Sequence, residues 1–150
     1  MYIRFEKGID KDDIALLCQW SNERGSAFQE QWMGSQVPYP LTHDEIEKLE
    51  NKFSIFNEEE FIGMIQEVRI EKDNIHIGRF IINPQKTGLG LGTEALKEFM
   101  DFIFRDENII SISLTVFDFN QIARRVYDRL GFKVDKVVET PKRYIMRRYR

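Results

Sequence analysis

The sequence predicts an α/β fold with one mixed sheet of about seven strands flanked by about four helices. Three observations lead there. Short alternating apolar runs recur along the chain, amphipathic helical stretches sit between them, and the two kinds follow the order β-α-α-β-β-β-α-β-α-β-β. Strands joined by tight turns pair as an antiparallel meander, whereas strands joined through a helix favour a crossover, so both directions occur in one sheet. No repeat, low-complexity tract or linker divides residues 1–150, which read as a single domain long enough for a real core.

Each element has its own local reason. "MYIRFEK" alternates and forms a first strand. "DKDDIALLCQW" follows as a helix, with Asp10 at its N-cap, acidic residues in its first turn and apolar positions 14, 16, 17 and 20. "SNERGSAFQEQWMGSQVPYP" is polar and punctuated by Gly and Pro. It is a long connection with room for a short helix, of the kind that often carries function. "LTHDEIEKLEN" is a second helix, opened by a capping box of Thr42 and Glu45. "KFSIFN", "EEFIGMIQEVRIE" and "NIHIGRFIIN" are three strands of a meander that turns at "EEE" and "EKDN". "GTEALKEFMDFIFRD" is an amphipathic helix with apolar residues at 95, 96, 99, 102 and 103. "ISISLTVFD" is a buried strand. "NQIARRVYDRLG" is a helix that Asn120 opens and Gly131 closes, with apolar residues at 123, 126, 127 and 130. "FKVDKVVET" and "KRYIMRRYR" are the last strands, the second expected at a sheet edge with one wet face.

Composition narrows the function. Hydrophobic residues at 42% and charged residues at 31% are ordinary for a soluble domain, and a net charge of −3 gives no support for a nucleic-acid binder. Twelve Phe suggest an aromatic-rich interior or an apolar cleft. The single cysteine, Cys18, has no internal disulfide partner and reads as a buried thiol in a reducing compartment. The N-terminus lacks the basic and long apolar regions of a secretory signal, and no run approaches the roughly 18 apolar residues of a membrane span, so the expectation is a cytoplasmic protein without a membrane partner. Two His and one Cys, scattered, make no metal ligand set.

The chemistry concentrates in "IINPQKTGLGLGTEALKEF", where Gly88, Gly90 and Gly92 lie between a strand and a helix. Such a junction presents unpaired amides and a positive dipole end to an anion. A Walker A loop is excluded, since no Gly-Lys pair follows Gly88. Gly88 and Gly90 supply the G-x-G of a dinucleotide fingerprint, but its third glycine falls at Thr93, and Gly92 comes one residue early.

On these residues the sequence resembles the GNAT superfamily of acyl-CoA-dependent N-acetyltransferases. Gln85, Gly88 and Gly90 in "QKTGLG" match its loop [QR]-x-x-G-x-[GA]. "NQIARRVYDRLGF" matches its second pattern with Asn120, Ala123, Tyr127, Leu130, Gly131 and Phe132. "YPLTHDEIEKL" looks like the ribosomal-protein N-acetyltransferase branch. The resemblance implies a mostly antiparallel sheet splayed between strands 4 and 5, with acetyl-CoA as cosubstrate. It implies that the backbone of Lys86, Thr87, Gly88, Leu89, Gly90, Leu91, Gly92 and Thr93, with Gln85 ahead of them, receives the diphosphate. Phe80, Ile81 and Ile82 carry the pantetheine arm, Asn120 contacts the cosubstrate, and Tyr127 is the general acid for the leaving thiolate. For a base, Glu67, Glu71, His76 and Asp118 are the candidates, and the apolar surroundings of Ile77 stand where some members carry a glutamate. The acceptor is expected over Trp20 to Pro40, with Phe28, Trp32 and Tyr39, and near Thr140. It is an amine-bearing small molecule or a protein N-terminus. An edge strand or the C-terminal strand offers a surface for a homodimer. The alternatives are a non-catalytic acetyl-CoA-binding module on the same fold and a nicotinamide-dependent oxidoreductase.

Overall fold

The computed structural model describes residues 1–150. Its elements are β1 (Ile3–Lys7), α1 (Lys11–Asn22), α2 (Ser26–Met33), α3 (His43–Glu47), β2 (Lys52–Asn57), β3 (Glu60–Glu71), β4 (Asn74–Ile82), a 3-10 turn (Pro84–Lys86), α4 (Leu91–Ile103), β5 (Ser111–Phe117), α5 (Gln121–Arg129), β6 (Lys133–Val138) and β7 (Arg143–Tyr149). The seven strands form one sheet in the order β1-β2-β3-β4-β5-β7-β6. Every neighbouring pair is antiparallel except β4 and β5, the two strands that α4 connects.

Each face of the sheet buries its own apolar set. On one side Phe53, Ile55, Ile75, Ile77, Ile112 and Leu114 pack against Leu91, Leu96, Phe99 and Ile103 of α4, with α5 alongside. On the other, Phe61, Met64 and Ile81 meet Ile14, Leu17, Trp32 and Ile46 from α1, α2 and α3. The result is a sheet sandwiched between two helical layers. The abundant phenylalanines serve the first layer, where Phe99 lies edge-on to Phe5 and Phe53 with ring centroids 5.0 and 5.3 Å apart.

The β3–β4 ladder contains two compensating irregularities. Met64 faces Ile81 but Gln66 faces Gly78, so β4 has one extra residue across Arg79 and Phe80. Glu67 then faces Ile77 while Arg69 faces His76, so β3 has one extra residue at Val68. Arg79 carries the strain of the first bulge at φ +43°, a left-handed value unusual for a residue with a Cβ. The bulge also changes faces. Ile75 and Ile77 pack on the α4 side, Ile81 on the α1–α3 side, although all three are odd-numbered.

The long connection contains the short helix it had room for, α2, framed by Gly25 and Gly34 at φ +89° and +92°, which brings the α-helices to five. Local expectations fail at three places. The Thr42–Glu45 capping box does not form. α3 has only five residues, Thr42 makes no side-chain cap, and the Glu45 carboxylate turns to Lys48 Nζ at 2.9 Å. Asp10 occupies the N-cap of α1 without capping through its side chain. Finally, β7 is an interior strand, because buried Tyr144 and Met146 hold it between β5 and β6. The edge falls to β6, whose residues are nearly all exposed.

Candidate active site

The glycine loop runs from the end of β4 into α4. Asn83 starts it, its side chain accepting from the Gln85 amide at 3.0 Å, and the Thr87 hydroxyl donates to Pro84 O at 3.0 Å. Gly88 and Gly90 have φ of +84° and +77°, values a side chain would strain, and a Cβ on either would enter open space. The amides of residues 87–93 donate to no protein acceptor. The first bonded amide is that of Glu94, to Gly90 O at 3.1 Å. Consecutive free donors at the positive end of a helix are a receptor for an anion.

Beside the loop the sheet opens. β4 and β5 are paired only at Asn74–Ser111, Ile75–Ile112 and His76–Ser113, although β4 continues to Ile82 and β5 to Phe117. Asn83 N–H bonds to Ile62 O at 2.7 Å on the β3 side. Alternation then turns the backbone groups of Ile82, and of Phe80 next to the bulge, away from β3 and into the gap.

Tyr127 reaches the same gap from α5. Asn120 caps that helix by accepting from the Ala123 amide at 3.3 Å. At the other end Gly131, at φ +93°, closes it with two reversed bonds, Phe132 N to Tyr127 O and Gly131 N to Asp128 O, both 3.0 Å. The turn drives Phe132 into the core, edge-on to the Tyr127 ring with centroids 6.1 Å apart. Burial alone pushes the phenol up to about 12.

Four cavities fill the gap end to end. One of about 330 Å³ lies on the glycine loop and touches Thr87, Gly88, Gly90, Gly92 and Thr93. It shares Phe80, Ile82, Ala123 and Tyr127 with a second of about 300 Å³, which Asn120, Ile81 and Phe28 also line. A small third, about 70 Å³, adjoins Tyr127, Phe80 and Thr115 at the bulge. The fourth, about 470 Å³, opens beyond Arg79 between α2 and the Thr140 turn. A channel thus joins an anion cradle, a phenol and an open polar chamber.

The model of the Acetyltransferase (GNAT) family matches residues 17–132. The chain belongs to the GNAT acetyltransferase family. It is 29% identical over 138 residues to the spermidine N(1)-acetyltransferase of Escherichia coli strain K12, covering 89% of this chain and 68% of that one. Two solved structures share the fold. Spermidine N-acetyltransferase from Vibrio cholerae, with CoA and spermine, has a TM-score of 0.79 at 20% identity over 98% of this chain and 95% of its own. The ribosomal L7/L12 α-N-protein acetyltransferase RimL, with coenzyme A, has 0.79 at 17% identity over 99% and 94%. As a GNAT enzyme the chain is an acyl-CoA-dependent acetyltransferase with acetyl-CoA as cosubstrate. The one parallel strand pair rules out the doubly wound sheet that a nicotinamide-binding fold requires.

Within this GNAT acetyltransferase the expected residues divide. Phe80, Ile81, Ile82, Thr87, Gly88, Gly90, Gly92, Thr93, Asn120 and Tyr127 line the channel. The side chains of Gln85, Lys86, Leu89 and Leu91 do not. Lys86 pairs with Glu60 at 3.3 Å, Leu89 is exposed, and Leu91 is buried in the core. Of the acceptor-side residues, Phe28, Trp32 and Thr140 face the channel, whereas the Tyr39 hydroxyl is spent on Asn22 O at 3.1 Å.

The base candidates fare differently. Glu67 lies outside the channel, half-buried, its carboxyl raised by desolvation against a smaller opposing effect of Lys7. Glu71 pairs with Arg69 at 3.6 Å, and Asp118 accepts from the Tyr144 hydroxyl at 2.5 Å; neither reaches the chamber. His76 does, but it is fully engaged. Asn74 Nδ2 donates to Ser113 Oγ at 2.9 Å, and Ser113 Oγ lies 2.7 Å from His76 Nδ1. Thr115 Oγ1 lies 3.2 Å from Nε2, so both ring nitrogens already have a hydroxyl partner. Burial, reinforced by Arg69, lowers this imidazole to about 4. Nothing in the sequence pattern singled out Arg79, Thr115 or Arg143, which the bulge, the splay and the Thr140 turn bring to the chamber.

Proposed function

We propose that the acetyl group passes from acetyl-CoA directly to a primary amine, in a ternary complex within the gap between β4 and β5. The observation that carries this reading is the continuity of the channel from the unbonded amides of residues 87–93, past Tyr127, to the polar chamber. In the reading, those amides hold the diphosphate and the free edge of β4 pairs with the pantetheine arm. An amide at that edge polarises the thioester carbonyl as charge develops on its oxygen. The neutral amine attacks that carbon; the C–N bond forms, the C–S bond breaks, and the nitrogen gives up a proton to water.

Tyr127 faces the leaving sulfur. Held at about 12, its hydroxyl stays protonated at neutral pH and donates a hydrogen bond to the developing thiolate. Complete transfer to a thiolate whose acid has a pKa of ~8.5 is uphill, so stabilisation by the hydrogen bond is the main contribution. A covalent acyl-enzyme finds no support: Cys18, the one thiol, sits on α1 with its pKa raised by burial and lines none of these cavities. The free cysteine also supports a reducing, cytoplasmic setting.

Thermal shift with acetyl-CoA, CoA, NAD and ATP tests the cosubstrate, since a tight ligand raises the melting temperature. Acetyl-CoA and CoA are expected to stabilise the protein; stabilisation by NAD alone would sink the proposal. Release of free CoA on adding amines then separates an enzyme from a module that only binds.

A further inference from the structure

The far chamber has an unexpected charge. Its lining includes three guanidinium groups, Arg69, Arg79 and Arg143, against one carboxylate, Glu30. Arg69 sits at the rim and is partly neutralised by Glu71. Arg79 and Arg143 have no carboxylate partner. Arg143 donates to Pro141 O at 2.8 Å; Arg79 donates to Gln66 Oε1 at 2.9 Å and to Met33 O at 3.3 Å, all neutral acceptors. Arg79 is half-buried, and that burial lowers its pKa. A cation withdrawn from water without a counter-charge is costly, and it is ready to accept one.

The backbone sharpens the point. Arg79 occupies the bulge at φ +43°, a conformation glycine takes without strain and other residues take at a cost. A long charged side chain kept where glycine fits better indicates that the side chain has a use.

We infer that the acceptor is a primary amine that also carries an oxyanion, a carboxylate or a phosphate, which Arg79 and Arg143 hold in the chamber while the amine points to the bulge. The inference rests on the gap being the acetyl-transfer site. Guanidinium forks suit carboxylate and phosphate oxygens bidentately, and Glu30 faces the same space for the ammonium form before it loses its proton. The same charge disfavours a polycation. The related enzymes named for spermidine therefore share the fold and the cosubstrate side, while this chamber repels such an amine.

The test follows CoA release from acetyl-CoA with paired amines: glycine against glycinamide, phosphoethanolamine against ethanolamine, and spermidine as the polycation. The anionic member of at least one pair is expected to react at least tenfold better by kcat/KM, and the pair shows whether carboxylate or phosphate is preferred. Arg79→Gly, which suits the bulge, and Arg143→Gln should each raise KM for that amine about tenfold or more. The acetyl-CoA shift should stay close to wild type, and the advantage of the anionic amine over its neutral partner should shrink by the same factor. A purely structural role for Arg79 would leave the preference between partners intact. The inference is overturned if spermidine outperforms every anionic amine, or if the preference survives both substitutions. It also fails if no anionic amine reacts in protein that acetyl-CoA stabilises. Loss of acetyl-CoA stabilisation itself would count against the cosubstrate reading instead.

Discussion

Tyr127 is partly buried beside the channel, and that burial alone holds its hydroxyl at about 12. Tyr127→Phe should therefore cost little stability, since the ring keeps its edge contact with Phe132. Turnover should fall roughly ten- to a thousandfold with acetyl-CoA affinity little changed, measured by steady-state kinetics and calorimetry. His76 makes the opposite kind of prediction, about stability. Its folded pKa of about 4 lies below the ordinary 6.5, so between those values the unfolded chain binds the proton that the folded one refuses. The contribution is full above pH 6.5 and is lost as pH falls through 4; at ~1.4 kcal/mol per pKa unit it is on the order of 3 kcal/mol. Denaturant melts of His76→Gln should show a flatter dependence across that window; an unchanged slope would assign the acid sensitivity elsewhere. Tyr127 and Asn120 were legible because their motif is local, one helix with its cap and its stop. Thr115 and Arg143 were not, because only the splay and a tertiary turn give them a common chamber.

Among the elements, the glycine loop and the β3–β4 pair depend on glycine for different reasons. Gly88 and Gly90 need it for their positive φ and for a Cβ-free approach by a ligand, since the space beyond them is open. Gly88→Val or Gly90→Val should raise the Michaelis constant for acetyl-CoA while the fold survives by circular dichroism. Gly63 has an ordinary φ, yet a Cβ there would lie 2.0 Å from Ile81 O on the facing strand. Gly63→Ala should destabilise by roughly 1–3 kcal/mol in denaturant melts, as overpacking does, because backbone rather than a flexible side chain must yield. Strand alternation in "NIHIGRFIIN" made β4 legible as a strand. It could not reveal the bulge, which depends on a partner strand 12 or more residues away and is marked by an arginine in glycine's conformation.

The whole molecule is two half-sheets, β1 to β4 and β5 to β6, meeting at three rungs of parallel pairing. Element order predicted a mixed sheet, because meander and crossover connections leave few sheets to choose from, and the family resemblance carried by the two short motifs implied the splay. Edge placement was less legible, since interior β7 and exposed β6 both alternate and only the packing of Tyr144 and Met146 distinguishes them. The same architecture has a kinetic consequence. With no ladder between Ile77–Ile82 and Leu114–Phe117, the two halves can breathe about the Asn74–Ser113 polar cluster, and a ligand lying along the free edge of β4 acts as a strut between them. Amide hydrogen exchange should slow in both β4 and β5 when acetyl-CoA is added. Slowing confined to the glycine loop would mean that the arm does not lie along the edge. The open wedge is thus also a timer, setting how often the sheet loosens when its cosubstrate is absent.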